Sequence, residues 1–415
     1  MPDINLISAL IFGLALIHTF STKAFEQLAH RHPKHAGLLH LLGEVEVVFG
    51  LWAIVLIILM TVLKGRSQAL EYIESREYTE PMFVFVIMVI AASKPILETV
   101  KKFITSIANR SPFSSALTQA WLGLAFVPLL GSIITEPAAM TLAALILAPL
   151  IFNQEISERL KYATLGVLFV NVSVGGTLTS YAAPPVLMVA KTWQWDSAFM
   201  LLHFGYKAAA AVIINASAVC YLLRKTVAKQ APSSRSSAEK FSYTVSSIHL
   251  LFLAGVVIFA HHPIIFLSLF MLFLGYTQAY KSYQSPLILK EGLLVGFFLA
   301  GLVVLGGMQQ WWLQPIVSSL APTALFFGAT TLTAITDNAA LTYLGSLING
   351  ISDEAKYMLV AGAVAGGGLT IIANAPNPTG VALLRNGFKD HSISALDLLL
   401  GALPPTLCVM ALFLV

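Results

Sequence analysis

Thr135-Glu136-Pro137-Ala138-Ala139-Met140-Thr141 and Thr336-Asp337-Asn338-Ala339-Ala340-Leu341-Thr342 match at Thr, acid, Ala, Ala and Thr, 201 residues apart. Each puts one carboxylate into an otherwise apolar region. An ionisable side chain at membrane depth costs about 2.5 to 3.5 kcal/mol on insertion scales, so it is kept where it faces a partner or a pathway. The apolar legs on either side of each acid are short for a full span, and two short legs joined at a polar break read as a re-entrant helical hairpin. The hairpins are expected at 115–152 and 315–350.

A second repeated break follows each hairpin. Gly175, Gly176, Leu178, Thr179, Ala182 and Pro185 match Gly366, Gly367, Leu369, Thr370, Ala373 and Pro376 at an offset of 191. Glycines and prolines inside a long apolar run predict broken helices over 160–190 and 354–385. Further apolar spans lie near 4–20, 41–63, 82–97 and 197–223 in the first half. In the second they lie near 248–260, 263–281, 289–308 and 393–415. The chain runs from Met1-Pro2-Asp3 into its first apolar stretch without a basic n-region, so that stretch reads as a transmembrane helix rather than a cleaved signal.

The expected organisation is an inverted repeat of residues 1–223 and 248–415 joined by a polar linker, 224–247. Each half holds three transmembrane helices, a re-entrant hairpin, a broken helix and a final transmembrane helix. The fold class is an all-α polytopic membrane protein. Composition agrees, because 57% of the 415 residues are hydrophobic and 11% are charged, against about a quarter charged in soluble domains. Seventeen of the 24 Lys and Arg fall on the side of the linker and five on the other. By the positive-inside rule the linker is cytoplasmic and both termini lie outside.

A break in a membrane helix frees backbone groups that lipid cannot satisfy, so it lines a cavity or is buried in protein. The helix ends there also present partial charges. The tips should supply Glu136, Thr141, Asp337, Asn338 and Thr342. The broken helices should supply Asn171, Ser173, Gly176, Thr177, Thr179, Gly367, Thr370, Asn374, Asn377 and Thr379. Hard oxygen donors suit a hard cation such as Na+, held at Glu136, Asp337 and Asn338. The plainer reading is that Gly and Pro only kink helices and Ser/Thr only cap them, but two independent kinks need no matched carboxylates.

Other polar residues within spans are candidates for counter-charge or coupling. Glu44 and Glu46, two apart on a helix, point to different faces, so one of them at most faces the site, and Glu44 reads as solvated. Lys94 is open between a counter-ion, an anion contact and a snorkelling interface residue. Lys207, with Asn215 in the same span, is similarly open. His30, His32, His35 and His40 fit a solvated loop better than a metal site. Trp311 and Trp312 read as an interfacial anchor, and Cys220 and Cys408 as small buried hydrophobes. No basic stripe with interleaved aromatics points to nucleic acid. His-Glu-x-x-His, Gly-x-Ser-x-Gly and P-loop motifs are absent, which argues against an enzyme using them.

The Asp337-Asn338-x-x-Leu341-Thr342 tip and the Gly366-Gly367-Gly368-Leu369-Thr370 break resemble the ion transporter superfamily. Its NhaD-type antiporters and arsenite permeases have similar patterns, and the chain as a whole looks like a bacterial sodium/proton antiporter family. The resemblance implies a bacterial inner-membrane protein, a homodimer, no cofactor, and inorganic cations and the bilayer as partners. Neither tip has the Ser-Asn-Thr triplet of the dicarboxylate carriers, and Glu136-Pro137 replaces the polar pair of the first tip.

Two functions are therefore expected. The first is exchange of Na+ for H+ by alternating access, with Glu136 and Asp337 as shared sites for which ion and proton compete. The second is an anion carrier, either a sodium-coupled carboxylate symporter or an arsenite-type efflux permease, with Lys94 or Lys207 holding the anion. Of the two acids, Asp337 has an amide neighbour and the closer family match, whereas Glu136 precedes a proline.

Overall fold

The structure, a computed structural model, describes residues 3–227 and 242–415. The first half comprises α1 (Ile4–Arg31), α2 (Ala36–Gly43), α3 (Val45–Lys64), α4 (Arg66–Glu74), α5 (Thr79–Ala91), α6 (Lys94–Arg110), α7 (Ser115–Leu124), α8 (Phe126–Ile134), α9 (Glu136–Leu147), α10 (Glu158–Gly175), α11 (Pro184–Trp193), α12 (Ser197–Met200) and α13 (Tyr206–Val227). The second half comprises α14 (Tyr243–Ile258), α15 (Pro263–Ala279), α16 (Leu289–Gly306), α17 (Gln310–Ser318), α18 (Pro322–Thr333), α19 (Asn338–Ser346), α20 (Asp353–Gly366), α21 (Asn377–Leu384) and α22 (Ala395–Phe413). No strand occurs among the described residues.

Five stretches are long and apolar enough to cross a membrane: Ile4–Thr22, Val45–Lys64, Ser197–Val227, Leu289–Gly306 and Ala395–Phe413. Two bent pairs, α5 with α6 at 59° and α7 with α8 at 43°, raise the number to seven if each is one span. An all-helical chain with this many apolar helices is built as a multi-pass membrane protein.

Several boundaries differ from the sequence expectation. The span expected at 82–97 stops at Ala91: Ser93 is extended, and a new helix, α6, starts at Lys94 with Pro95 in its first turn. The span at 41–63 is interrupted at Glu44, whose backbone is extended, so α2 and α3 are separate. The first helix continues to Arg31. Helix α18, the first leg of the hairpin expected at 315–350, starts at Pro322, since α17 is a separate short helix that carries Trp311 and Trp312. Helices α13 and α14 run into the linker as far as Val227 and from Tyr243. The rest of the linker, with Lys229, Arg235 and Lys240, lies outside the described residues.

Helices are interrupted in both glycine- and proline-rich stretches. Helix α10 ends at Gly175 and α11 starts at Pro184, while α20 ends at Gly366 and α21 starts at Asn377. Helix α10 is the centre of the molecule. Every residue from Leu165 to Gly175 is buried, as expected of a helix apolar on all sides, and α8, α9, α13, α20 and α22 pack around it.

The packing of tips and breaks is reciprocal. Helix α9, which follows the first tip, lies against α21 beyond the second break; α19, which follows the second tip, lies against α11 beyond the first. Helices α8 and α18, which lead into the tips, pack on α10 and α20 respectively.

Candidate functional site

The first tip turns at Thr135, whose φ of 74° is unusual for a β-branched residue. This turn lets α9 begin at Glu136, with Pro137 in the first turn where a missing N–H costs nothing. Glu136 is fully buried. Its Oε2 accepts a hydrogen bond from Asn374 Nδ2 at 2.8 Å, and its Oε1 lies against Gly176, where a Cβ would stand 2.7 Å from that oxygen. One carboxylate thus touches both breaks. Oε1 has no hydrogen-bond partner among the described residues.

The second tip is organised differently. Asp337 caps α19, its Oδ1 accepting from the backbone N–H groups of Ala339 (2.8 Å) and Ala340 (3.2 Å). Asn338 donates its backbone N–H to Ala373 O at 3.1 Å, which ties tip to break. Its side chain is fully buried beside Gly367 and Ser173, and neither amide atom has a partner among the described residues. A Cβ at Gly367 would come within 2.9 Å of Asn338 Nδ2.

Asn377 closes the second break by donating to the carbonyls of Gly367 (2.8 Å) and Thr370 (2.9 Å), which the interrupted helix leaves free. The Oδ1 atoms of Asn338, Asn374 and Asn377, like Glu136 Oε1, are buried without a hydrogen-bond partner among the described residues. Buried polar atoms are nearly always paired. These four unpaired acceptors, on two tips and one break, are oxygens of the kind a hard cation takes. Among the described residues no group of three or more His, Cys, Asp and Glu could hold a metal ion.

A cavity of about 40 Å³ opens beside Asp337, lined also by Thr336, Asn374 and Glu46. It is large enough for a water molecule or a small ion. Apolar side chains of α1, α3 and α16, among them Leu16, Phe49 and Phe298, also line it, together with Ile371, Ile372 and Pro378 in and just after the second break. Glu46 and Asp337 therefore share a space that Glu136 does not line. Glu44 points elsewhere, 3.2 Å from Lys290 at the surface.

Other expected residues hold the site rather than line it. Thr179 Oγ1 donates to Ser132 O at 2.7 Å, and Thr370 Oγ1 to Ala334 O at 2.8 Å, each fastening a break to its own hairpin. Ser173 Oγ donates to Val364 O across α10 and α20. The hydroxyls of Thr141, Thr177 and Thr342 bond carbonyls one turn back, at Pro137, Val174 and Ala339. Asn171 is a structural crosslink: it donates to Leu124 O and Val212 O and accepts from Asn215. Lys207 donates to Tyr357 Oη at 2.9 Å, and that hydroxyl donates to Phe413 O. Lys94 stands in the first turn of α6.

Sequence reasoning missed Ser132. Its Oγ donates to Gly175 O at 2.7 Å and accepts from Leu178 N at 2.9 Å, holding both sides of the first break. Its one signal was its place in the polar interruption that begins at Gly131.

A search of the curated proteins returns no match. The family model described as "Putative Na+/H+ antiporter" matches residues 3–415, which takes in both acidic tips and both glycine-rich breaks, and the chain belongs to that family.

Proposed function

We propose that the protein is a secondary active transporter that exchanges Na+ for H+ across a bacterial inner membrane by alternating access. The observation that carries this reading is the fully buried Glu136 carboxylate, held by Asn374 from the opposite half of the chain while its second oxygen stays unpaired. Family membership supports an antiporter. In the proposed mechanism, Na+ takes the deprotonated carboxylates together with amide oxygens of Asn338, Asn374 or Asn377. A proton neutralises the same carboxylates and releases the ion. Occupancy by one excludes the other, and this exclusion couples the two fluxes.

The two halves are read as an inverted repeat, with termini outside and the central linker inside. The matched sequence offsets, the charge asymmetry and the reciprocal packing of α9 on α21 and α19 on α11 all favour that build. Hairpins and broken helices would then move as one body against α1, α3 and α16, whose contact with the second tip contains the cavity shared by Glu46 and Asp337. In that arrangement Glu46 acts on the stationary side as the partner of Asp337. The protein acts as a transporter and not as an enzyme.

The test is reconstitution into liposomes that enclose a pH dye, followed by addition of Na+, Li+, K+ and candidate anions in turn. Na+-driven alkalinisation of the lumen without any of the candidate anions is the expected result. If no cation moves protons while an anion drives Na+ uptake, the reading fails.

A further inference from the structure

We infer that the protein carries a site for an anionic phospholipid in the groove between the end of α6, α7 and the end of α13. The groove has a volume of about 790 Å³, within the range of about 300–1,000 Å³ typical of sites for sizeable small molecules. Its lining is mostly apolar, with Leu117, Trp121 and Cys220 among it, and includes Arg110 and Arg224. The occupant it suits has an apolar body and an acidic head.

The elements that build the groove follow from their sequences. Ser217, Cys220, Tyr221 and Arg224 recur at helical spacing on α13, and Leu117, Thr118 and Trp121 do the same on α7, so each helix turns one stripe to the groove. Trp121 Nε1 donates to Ser217 Oγ at 3.0 Å, joining the two walls. The Arg224 guanidinium lies 3.5 Å from the centre of the Tyr221 ring, and this stacking fixes its direction. Ser111 and Thr118, hydrogen-bonded to each other at 3.0 Å, add hydroxyls to the lining.

Charge decides the occupant. Neither Arg110 nor Arg224 forms an ion pair with a carboxylate among the described residues. Two arginines without counter-charge attract a phosphate, for which the guanidinium geometry is suited. Helix α6 adds a second argument. It leaves α5 at 59° and is amphipathic, burying Ile96, Ile104 and Ala108 while exposing Lys101 and Lys102. A helix of this kind lies in the headgroup layer and is drawn to acidic lipid. Phe113 and Tyr221, which also line the groove, are both more than half exposed. The proposal uses the membrane-protein build and does not depend on which ion is transported.

Native mass spectrometry of the full-length protein, titrated with equimolar phosphatidylglycerol and phosphatidylcholine, tests the site. The wild type is expected to retain phosphatidylglycerol preferentially. Each basic side chain near an acidic lipid surface contributes roughly fivefold to binding, so the double variant Arg110→Gln/Arg224→Gln should lose roughly 25-fold. Lys281→Gln/Lys389→Gln, which removes two other basic side chains, should retain the lipid as the wild type does. Leu117→Trp, which fills the groove and keeps both arginines, should also lower occupancy. Equal retention of the two lipids overturns the proposal, as does unchanged retention in the double arginine variant. Cross-linking of Phe113→Cys to its counterpart in a second copy would show the groove to be a subunit interface and would overturn it too.

Discussion

Glu136 and Asp337 occupy equivalent motif positions but have different surroundings. Glu136 is sealed between two breaks and bonded to an amide, whereas Asp337 caps a helix at the edge of a cavity that also reaches Glu46. Replacing Glu136 by Gln removes the charge and keeps the shape, and contacts to a charged group are worth about 1.5–3 kcal/mol. Na+-driven proton movement in liposomes should therefore fall at least roughly tenfold in Glu136→Gln, and similarly in Asp337→Asn. Normal transport by both variants would remove the carboxylates from the mechanism. Glu46→Gln should slow exchange several-fold. Glu44→Gln, which breaks only an exposed pair with Lys290, should leave exchange and thermal stability near wild type, because surface pairs contribute about 0–1 kcal/mol. Equal effects of the two substitutions would deny Glu46 a special place.

At the scale of elements, the breaks are held open by small residues and by hydroxyls that serve freed backbone groups. A methyl group at Gly176 would press on the Glu136 carboxylate at 2.7 Å. That side chain is fully buried and held by Asn374, and overpacking at such a place costs about 1–3 kcal/mol. Gly176→Ala should lower the thermal unfolding midpoint and weaken Na+ dependence together. Ser132→Ala leaves Gly175 O and Leu178 N without a side-chain partner, and each orphaned buried group costs about 1–3 kcal/mol. Its unfolding midpoint should drop although Ser132 Oγ touches neither carboxylate in the hydrogen-bond network. A midpoint unchanged from wild type would mean that the first break is satisfied in some other way.

For the whole molecule, the orientation reading makes a separate prediction. Alkaline phosphatase fused after Val415 should be active, since that enzyme works only outside the cytoplasm, and a fluorescent protein inserted within 228–241 should be bright. The opposite pattern would reverse the assignment drawn from Lys and Arg placement. In the orientation proposed from that charge asymmetry, Arg110 and Arg224 would lie on the cytoplasmic side, where acidic lipid headgroups attract basic residues.

Hydropathy and punctuation made much of the architecture legible. Apolar run length reports membrane-crossing helices because lipid cannot satisfy exposed backbone, and helices α10 and α20 end at glycines of the two repeated clusters. Local chemistry misled where a single extended residue divided an apolar run, as Ser93 does between α5 and α6 and Glu44 between α2 and α3. The acids themselves were readable because charge is so rare in this chain. Their inequality was not, since it depends on which helices arrive from other parts of the sequence. Only tertiary packing could bring Asn374 to Glu136 from 238 residues away and set Glu46 beside Asp337. It also turned Asn171 away to crosslink helices. Sequence alone determined that carboxylates sit at breaks inside apolar helices, whereas long-range packing decided which polar groups they meet.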